Sequence, residues 1–260
     1  MIRTALALIV ALVPFSFSSV QAAPVDASVS YVVTVGGINV AMVDIDLDDS
    51  GARYELALSA RVAGLGSVVA SGTASAKVSG VSSGASLQSQ SFALETRANG
   101  EVFTANVGYE GRNVSAFQVQ PPVLDAYDRV PLERGHLTGV GDFLSAFILK
   151  GRELDRSLCE RTLKIFTGVE RFNIKLGFLD NDEATSPRTG YQGPLVACSL
   201  KYQPISGHFQ SSEMTNYLAD TSRMILWYAP LGQTGYFIPY RVIIGTSMGD
   251  LSMVLTRAQS

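Results

Sequence analysis

The sequence predicts a mainly-β protein: an antiparallel sandwich, barrel or strongly curled sheet with one helix in its middle. Three observations carry this expectation. Segments of apolar and polar alternation recur along the whole chain. Turns of hairpin chemistry, rich in glycine, asparagine and aspartate, separate them. Helical spacing of apolar residues stands out near 142–154, with a Pro-rich loop before it and strands on either side.

Taken in order, Met1 to Ala23 reads as a secretory signal. Arg3 gives a positive start, Ala5 to Val13 is an unbroken apolar run, and Val20-Gln21-Ala22 is a small-x-small cleavage site. The run is too short to span a bilayer, which weighs against a retained anchor, and no cysteine follows the cleavage region to accept a lipid. The expectation is therefore a soluble periplasmic protein, not lipid-anchored, with residues 24–260 as a single all-β domain. Later apolar stretches, Met224 to Ala229 and Phe237 to Ile244, are short and read as strands, not spans. With 20 basic and 23 acidic residues the net charge is −3, which argues against a nucleic-acid surface.

Val29 to Val35, the Gly36-Gly37 turn and Ile38 to Leu47 form a hairpin, and Asp48-Asp49-Ser50-Gly51 turns into a third strand at Tyr54 to Leu58. Gly64 to Ser91 is built of Gly, Ser, Ala, Val and Thr with Lys77 as its charge. Such composition makes either a flexible linker or small-residue strands, and the recurrence of Val68, Val69, Val78 and Val81 favours strands. Asn99-Gly100 is a hairpin turn between Phe92 to Arg97 and Val102 to Tyr109, and Val114 to Val119 comes next. After the loop opened by Pro121-Pro122, Asp142 caps an expected helix with Leu144, Phe147 and Ile148 at i, i+3 and i+4. Its expected task is to cover or plug one side of a sheet. Leu163 and Ile165, Phe172 to Phe178, Leu195 to Tyr202, Met224 to Ala229, Tyr236 to Thr246 and Leu251 to Thr256 read as further strands, with Asp180 to Gly193 as a loop.

Candidate chemistry is sparse. In an exported protein two cysteines most often form a disulfide. Bridging Cys159 and Cys198 closes a loop of about 40 residues, for which chain-entropy bookkeeping gives roughly 4 kcal/mol. A redox or nucleophilic cysteine is the alternative, against which there is no Cys-x-x-Cys. His136 and His208 lie in loops without a nucleophile motif or zinc-ligand spacing. Asp44, Asp46, Asp48 and Asp49 resemble a calcium loop but lack its glycine and terminal glutamate, and alternation puts the first three on a solvent face. No glycine pattern makes a nucleotide site, and Asn113-Val114-Ser115 is a weak glycosylation match. No metal, cofactor or catalytic residue is expected. Trp227, Tyr228 and Phe237, with Tyr236 and Tyr240, concentrate aromatic surface. The reading is core packing, or contact with an apolar ligand on a concave sheet face.

The chain resembles an exported bacterial family catalogued as domain of unknown function 3108. The resemblance is carried by YVVTVGGINVAMVDIDL from Tyr31, YELALSARVAG from Tyr54, DFLSAF from Asp142, CERTLKIFTG from Cys159, RFNIKLGF from Arg171, YQGPLVACSLKYQPISG from Tyr191 and WYAPLGQTGYFIP from Trp227. It implies an envelope protein with the cysteine pair in its pattern and no established activity. It also implies a large curled antiparallel sheet, a half-barrel or open barrel similar to the LolA/LolB lipoprotein carriers, in which a central helix plugs a concave apolar face. The small-residue stretch Gly64 to Ser91 departs from the bulkier strands of such a groove. The expected function is a non-catalytic periplasmic protein holding a lipid, lipoprotein or other apolar ligand. A structural scaffold with an envelope protein partner is the alternative, and an enzyme of unrecognised type the third.

Overall fold

A computed structural model describes residues 23–64, 66–69, 71–123, 127–221, 223–246 and 249–260. The expected signal segment, up to its last residue, lies outside them. The alternation seen in the sequence becomes seven strands in an unbroken meander: β1 (Val25–Val35), β2 (Ile38–Asp49), β3 (Arg53–Val62), β4 (Gly72–Ser82), β5 (Leu87–Ala98), β6 (Glu101–Glu110) and β7 (Asn113–Gln120). The turns behave as their residues require: Gly36 and Gly37 adopt φ of 55° and 84°, and Asn99 and Gly100 adopt 52° and 88°, the left-handed pair of a tight hairpin. The second set comprises β8 (Leu149–Lys150), β9 (Thr162–Phe166), β10 (Arg171–Ala184), β11 (Gly193–Ser206), β12 (Met224–Pro230), β13 (Tyr236–Ile244) and β14 (Leu251–Gln259).

The ladders between these strands are antiparallel, and the order is β7-β6-β5-β4-β3-β2-β1-β14-β13-β12-β11-β10-β9, with β8 on the edge of β13. Two meanders are thus joined where the first strand meets the last, with Tyr31 opposite Leu255. The resulting large antiparallel sheet is not closed by a ladder between β7 and β9. The chain at 138–141 spans that gap instead. Thr138 bridges Asn113, Gly141 bridges Ile165, and Gly141 exchanges backbone hydrogen bonds of 2.9 and 3.0 Å with Lys164 and Phe166. Beyond it, Phe117 of β7 meets Phe166 of β9 edge to face at 5.2 Å between ring centres.

Three sequence expectations are corrected. Residues 142–154 do not form the central helix. Asp142 does cap, accepting the Leu144 and Ser145 N–H groups at 2.7 and 2.8 Å, but the capped segment is one 3-10 turn, Ser145–Phe147. Ile148 then turns extended, because Leu149 and Lys150 pair with Phe237 and Tyr236 and the Lys150 side chain is drawn to Asp49. Tertiary pairing overrides local propensity here. The eight-residue helix is elsewhere, at α2 (Glu213–Asp220). Ser212 caps it and Met214, Tyr217 and Leu218 repeat the i, i+3, i+4 spacing.

The second correction is within the small-residue stretch, where one helical turn, α1 (Gly66–Val69), precedes β4. A Cβ on Gly64 or Gly66 would lie 2.6 or 2.7 Å from the carbonyl oxygens of Asn39 or Val40, so only glycines let this turn lie against β2. Third, the expected loop after Asp180 is shorter, since a register shift near Phe178 lets β10 continue to Ala184.

The core divides in two. One cluster gathers the inward face of the first meander around Tyr31, Tyr54 and Phe92 with Leu144 and Ile148; the other gathers β9 to β12 around Leu158, Ile165 and Leu226. The stretch from Val140 to Leu149 contributes to both and plugs the interior of the curl.

Candidate functional site

Side chains two apart on a strand share a face, so curling the sheet gathers one face of many strands. Val29, Tyr31 and Val33 of β1, Phe172 and Ile174 of β10, and Leu200 and Tyr202 of β11 line one cavity of about 560 Å³. Phe143, Leu144, Phe147 and Ile148 of the plug line it too, as does Leu218 of α2. Among the described residues of this wall the polar side chains are Tyr31, Tyr202 and Glu170; the others are hydrophobic residues and Pro239. The volume falls within the roughly 300–1,000 Å³ typical of small-molecule sites. The Tyr202 ring packs on Phe172 at 5.2 Å. Burial, with the Glu170 carboxylate nearby, pushes the Tyr202 phenol up to about 12, and burial drives Tyr31 higher still. Both remain neutral O–H groups at physiological pH.

Below the plug the polar groups are satisfied. Asp142, fully buried, also accepts the hydroxyls of Ser89 and Ser145, and Tyr54 donates to Ser89 at 3.3 Å. Burial and then the Asp142 charge push the Tyr54 phenol up to about 12. Nearby, Asp49 accepts from Lys150 at 3.1 Å, Ser82 at 2.7 Å, the Gly51 N–H at 2.8 Å and the Tyr236 hydroxyl. These two carboxylates anchor the ends of the plug to the first meander.

The aromatic residues picked out from sequence do not line the cavity. Trp227 is half-buried on the face of β12 opposite Tyr228. Its Nε1 donates to Asp182 at 2.8 Å, and the Arg241 guanidinium sits 5.9 Å from its ring. Tyr228 is fully buried with its hydroxyl unpartnered among the described residues, and Phe237 packs in the second core beside β8. The physical reason is alternation combined with curl: β12 turns Tyr228 into the second core and Trp227 away from it, while the cavity opens over β13 and β14.

Cys159 and Cys198 form a disulfide with Cα atoms 5.4 Å apart, both fully buried in the second core. His136 Nδ1 accepts the Glu133 N–H at 3.1 Å, and His208 Nδ1 is buried without a partner. Among the described residues neither is paired with a carboxylate or hydroxyl, and no three His, Cys, Asp or Glu side chains gather as a metal site requires. Asp44 accepts the Ser30 hydroxyl at 2.6 Å on the sheet surface. No described helix is long and apolar enough to cross a membrane.

Fold and site define a class: a curled, incompletely closed antiparallel sheet around an apolar cavity, plugged by one irregular segment. The chain belongs to the family described as protein of unknown function DUF3108, which matches residues 30–256. Among solved structures it is similar to a beta-barrel-like protein of domain of unknown function DUF1849 from Brucella abortus. The identity is 10%, the coverage 90% of this chain and 97% of that one, and the TM-score 0.47. No curated protein matches.

Proposed function

We propose that this chain is a non-catalytic, exported protein of the cell envelope that holds the apolar portion of a lipid or lipoprotein inside its curled sheet. The single observation that supports the reading is the cavity of about 560 Å³, whose wall is almost entirely hydrophobic. An apolar wall left open toward solvent is stabilised by an occupant that removes it from water, at roughly 25 cal/mol per Å² of apolar surface buried. The sequence features of export agree with a periplasmic carrier.

The test is binding. Protein purified from the envelope should carry lipid in native mass spectrometry, and the delipidated protein should bind an environment-sensitive lipid probe saturably. Val242→Trp, which fills the cavity from β13, should weaken that binding about tenfold or more, about 1.4 kcal/mol. A wild-type protein with no saturable site and no bound lipid would overturn the proposal.

A further inference from the structure

Among the described residues of the cavity wall Glu170 is the one carboxylate, and its side chain is uncommitted there. Its backbone is fixed in the turn before β10, where its N–H donates to Thr167 Oγ1 at 3.0 Å and its carbonyl accepts the Thr167 N–H at 3.0 Å. Its carboxylate has no hydrogen-bond or ion-pair partner among the described residues. Arg171, next in sequence, gives its guanidinium hydrogens to the carbonyls of His136 and Phe172. Arg129 donates to the carbonyls of Gly207 and Val169. Glu170 borders the cavity together with Phe172 and Ile174 of β10. Tyr202 lies on the neighbouring strand, and its phenol senses the Glu170 charge. Among the described residues the Tyr202 hydroxyl likewise has no hydrogen-bond partner.

A carboxylate that borders an apolar cavity is costly unless something completes its hydrogen bonds. The Tyr202 phenol, on the same cavity wall, supplies one hydroxyl that donates or accepts. Together they match a head group that donates hydrogen bonds and carries no negative charge. They mismatch a carboxylate or phosphate head, whose negative charge would repel the Glu170 carboxylate. We infer that Glu170 and Tyr202 form the head-group subsite of the cavity and select a single-chain amphiphile with a hydroxyl, amide or ammonium head over an anionic one. This rests on the cavity being a ligand site, and it adds the chemical class that the hydrophobic wall by itself leaves open.

The experiment compares three probes of equal chain, dodecylamine, 1-dodecanol and laurate, each displacing a neutral fluorescent lipid from the delipidated full-length mature protein. In the wild type the amine and the alcohol should displace at concentrations about tenfold or more below laurate. Glu170→Gln should erase most of the discrimination against laurate while leaving 1-dodecanol nearly unchanged. Glu170→Lys should invert the order of amine and laurate, a gain that misfolding does not produce. Equal displacement by all three in the wild type, or a ranking unmoved by both substitutions, would overturn the head-group subsite and leave the apolar-cavity reading standing. Failure of every probe, with no saturable binding of the fluorescent lipid, would overturn both.

Discussion

Asp49 and Lys150 are 101 residues apart in sequence and meet with side chains only 2% and 8% exposed. An isolated buried charge is costly, and breaking such a pair by removing one partner typically costs about 3–5 kcal/mol. Asp49→Asn should therefore lower the urea-unfolding free energy by about that amount at neutral pH, because Lys150 is left buried without its counter-charge. The pH dependence comes from the direction of the Asp49 shift. Burial pushes its carboxyl up, but the hydrogen bonds from Tyr236, Ser82, the Gly51 N–H and Lys150 together outweigh burial and hold it below the ordinary range. A carboxyl lowered in the folded state binds fewer protons there than in the unfolded chain. Its contribution is full above the unfolded value near ~3.9 and is lost as pH falls through the folded value. The stability gap between wild type and Asp49→Asn should stay flat from neutral pH to about pH 5 and narrow below about pH 4. A gap that widens with acid would contradict this account. None of it was legible in the sequence, where Asp49 looked like one more member of an acidic turn.

At the scale of elements, the plug from Val140 to Lys150 is held at both ends by buried carboxylates and just beyond by the disulfide. Asp142→Ala removes the acceptor for two N–H groups and two hydroxyls in a water-poor site. Hydrogen bonds to charged groups are worth about 1.5–3 kcal/mol each, so a loss of at least ~3 kcal/mol is expected. Hydrogen exchange of amides 143–148 should accelerate more than exchange in β10 and β11. Cys159 and Cys198 tie the exit of the plug to β11 across 39 residues. Replacing both with serine should cost roughly 4 kcal/mol in the chain-entropy account, or about 10 °C in melting temperature for a domain of this size. The hairpins of this fold were readable because Gly36-Gly37 and Asn99-Gly100 dictate their turns locally. Helix placement was not. The i, i+3, i+4 spacing occurs both at Leu144, Phe147, Ile148 and at Met214, Tyr217, Leu218. The difference is that β13 captures Leu149 and Lys150 as a strand, while α2 is capped by Ser212 and faces no such ladder. That difference lies in partners distant in sequence.

At the scale of the molecule, the same limit explains why the cavity escaped the sequence while its strands did not. Period-two alternation says that Val29, Tyr31 and Val33 share a face with one another. It does not say that Phe172, Leu200 and Val242 face them across a curl, since that depends on the seam between β1 and β14, which pairs residues as distant in sequence as Ser28 and Gln259. The aromatic cluster at Trp227 drew attention because aromatics mark both cores and sites. The actual wall mixes aliphatic residues with Tyr31, Phe143, Phe147, Phe172 and Tyr202 and is spread over both meanders and the plug.

The seam is also where the two meanders become one sheet, and it makes the fold's longest-range contacts. Forming it closes nearly the whole chain as one loop, so it should be a late and slow step. A chain ended after Asp250 loses β14, the partner of both β1 and β13, along with the fully buried Leu255. With domain stability ordinarily only about 5–15 kcal/mol, that chain should show no cooperative unfolding transition. The complementary prediction uses connectivity instead of contacts. Ser28 pairs with Gln259, and Ala23 and Ser260 border the same recess, so a short linker can join them. The turn at Ser83 to Ser86 is exposed and a Cβ added at Gly84 would meet nothing within 4 Å, so the chain can be opened there. The permuted protein keeps every strand pair except the covalent turn between β4 and β5, while the seam becomes a local hairpin. It should fold to the same structure, bind the same lipid probe, and refold faster than the natural order by stopped-flow fluorescence. A permutant that refolds no faster would place the slow step in one of the meanders and not at the seam.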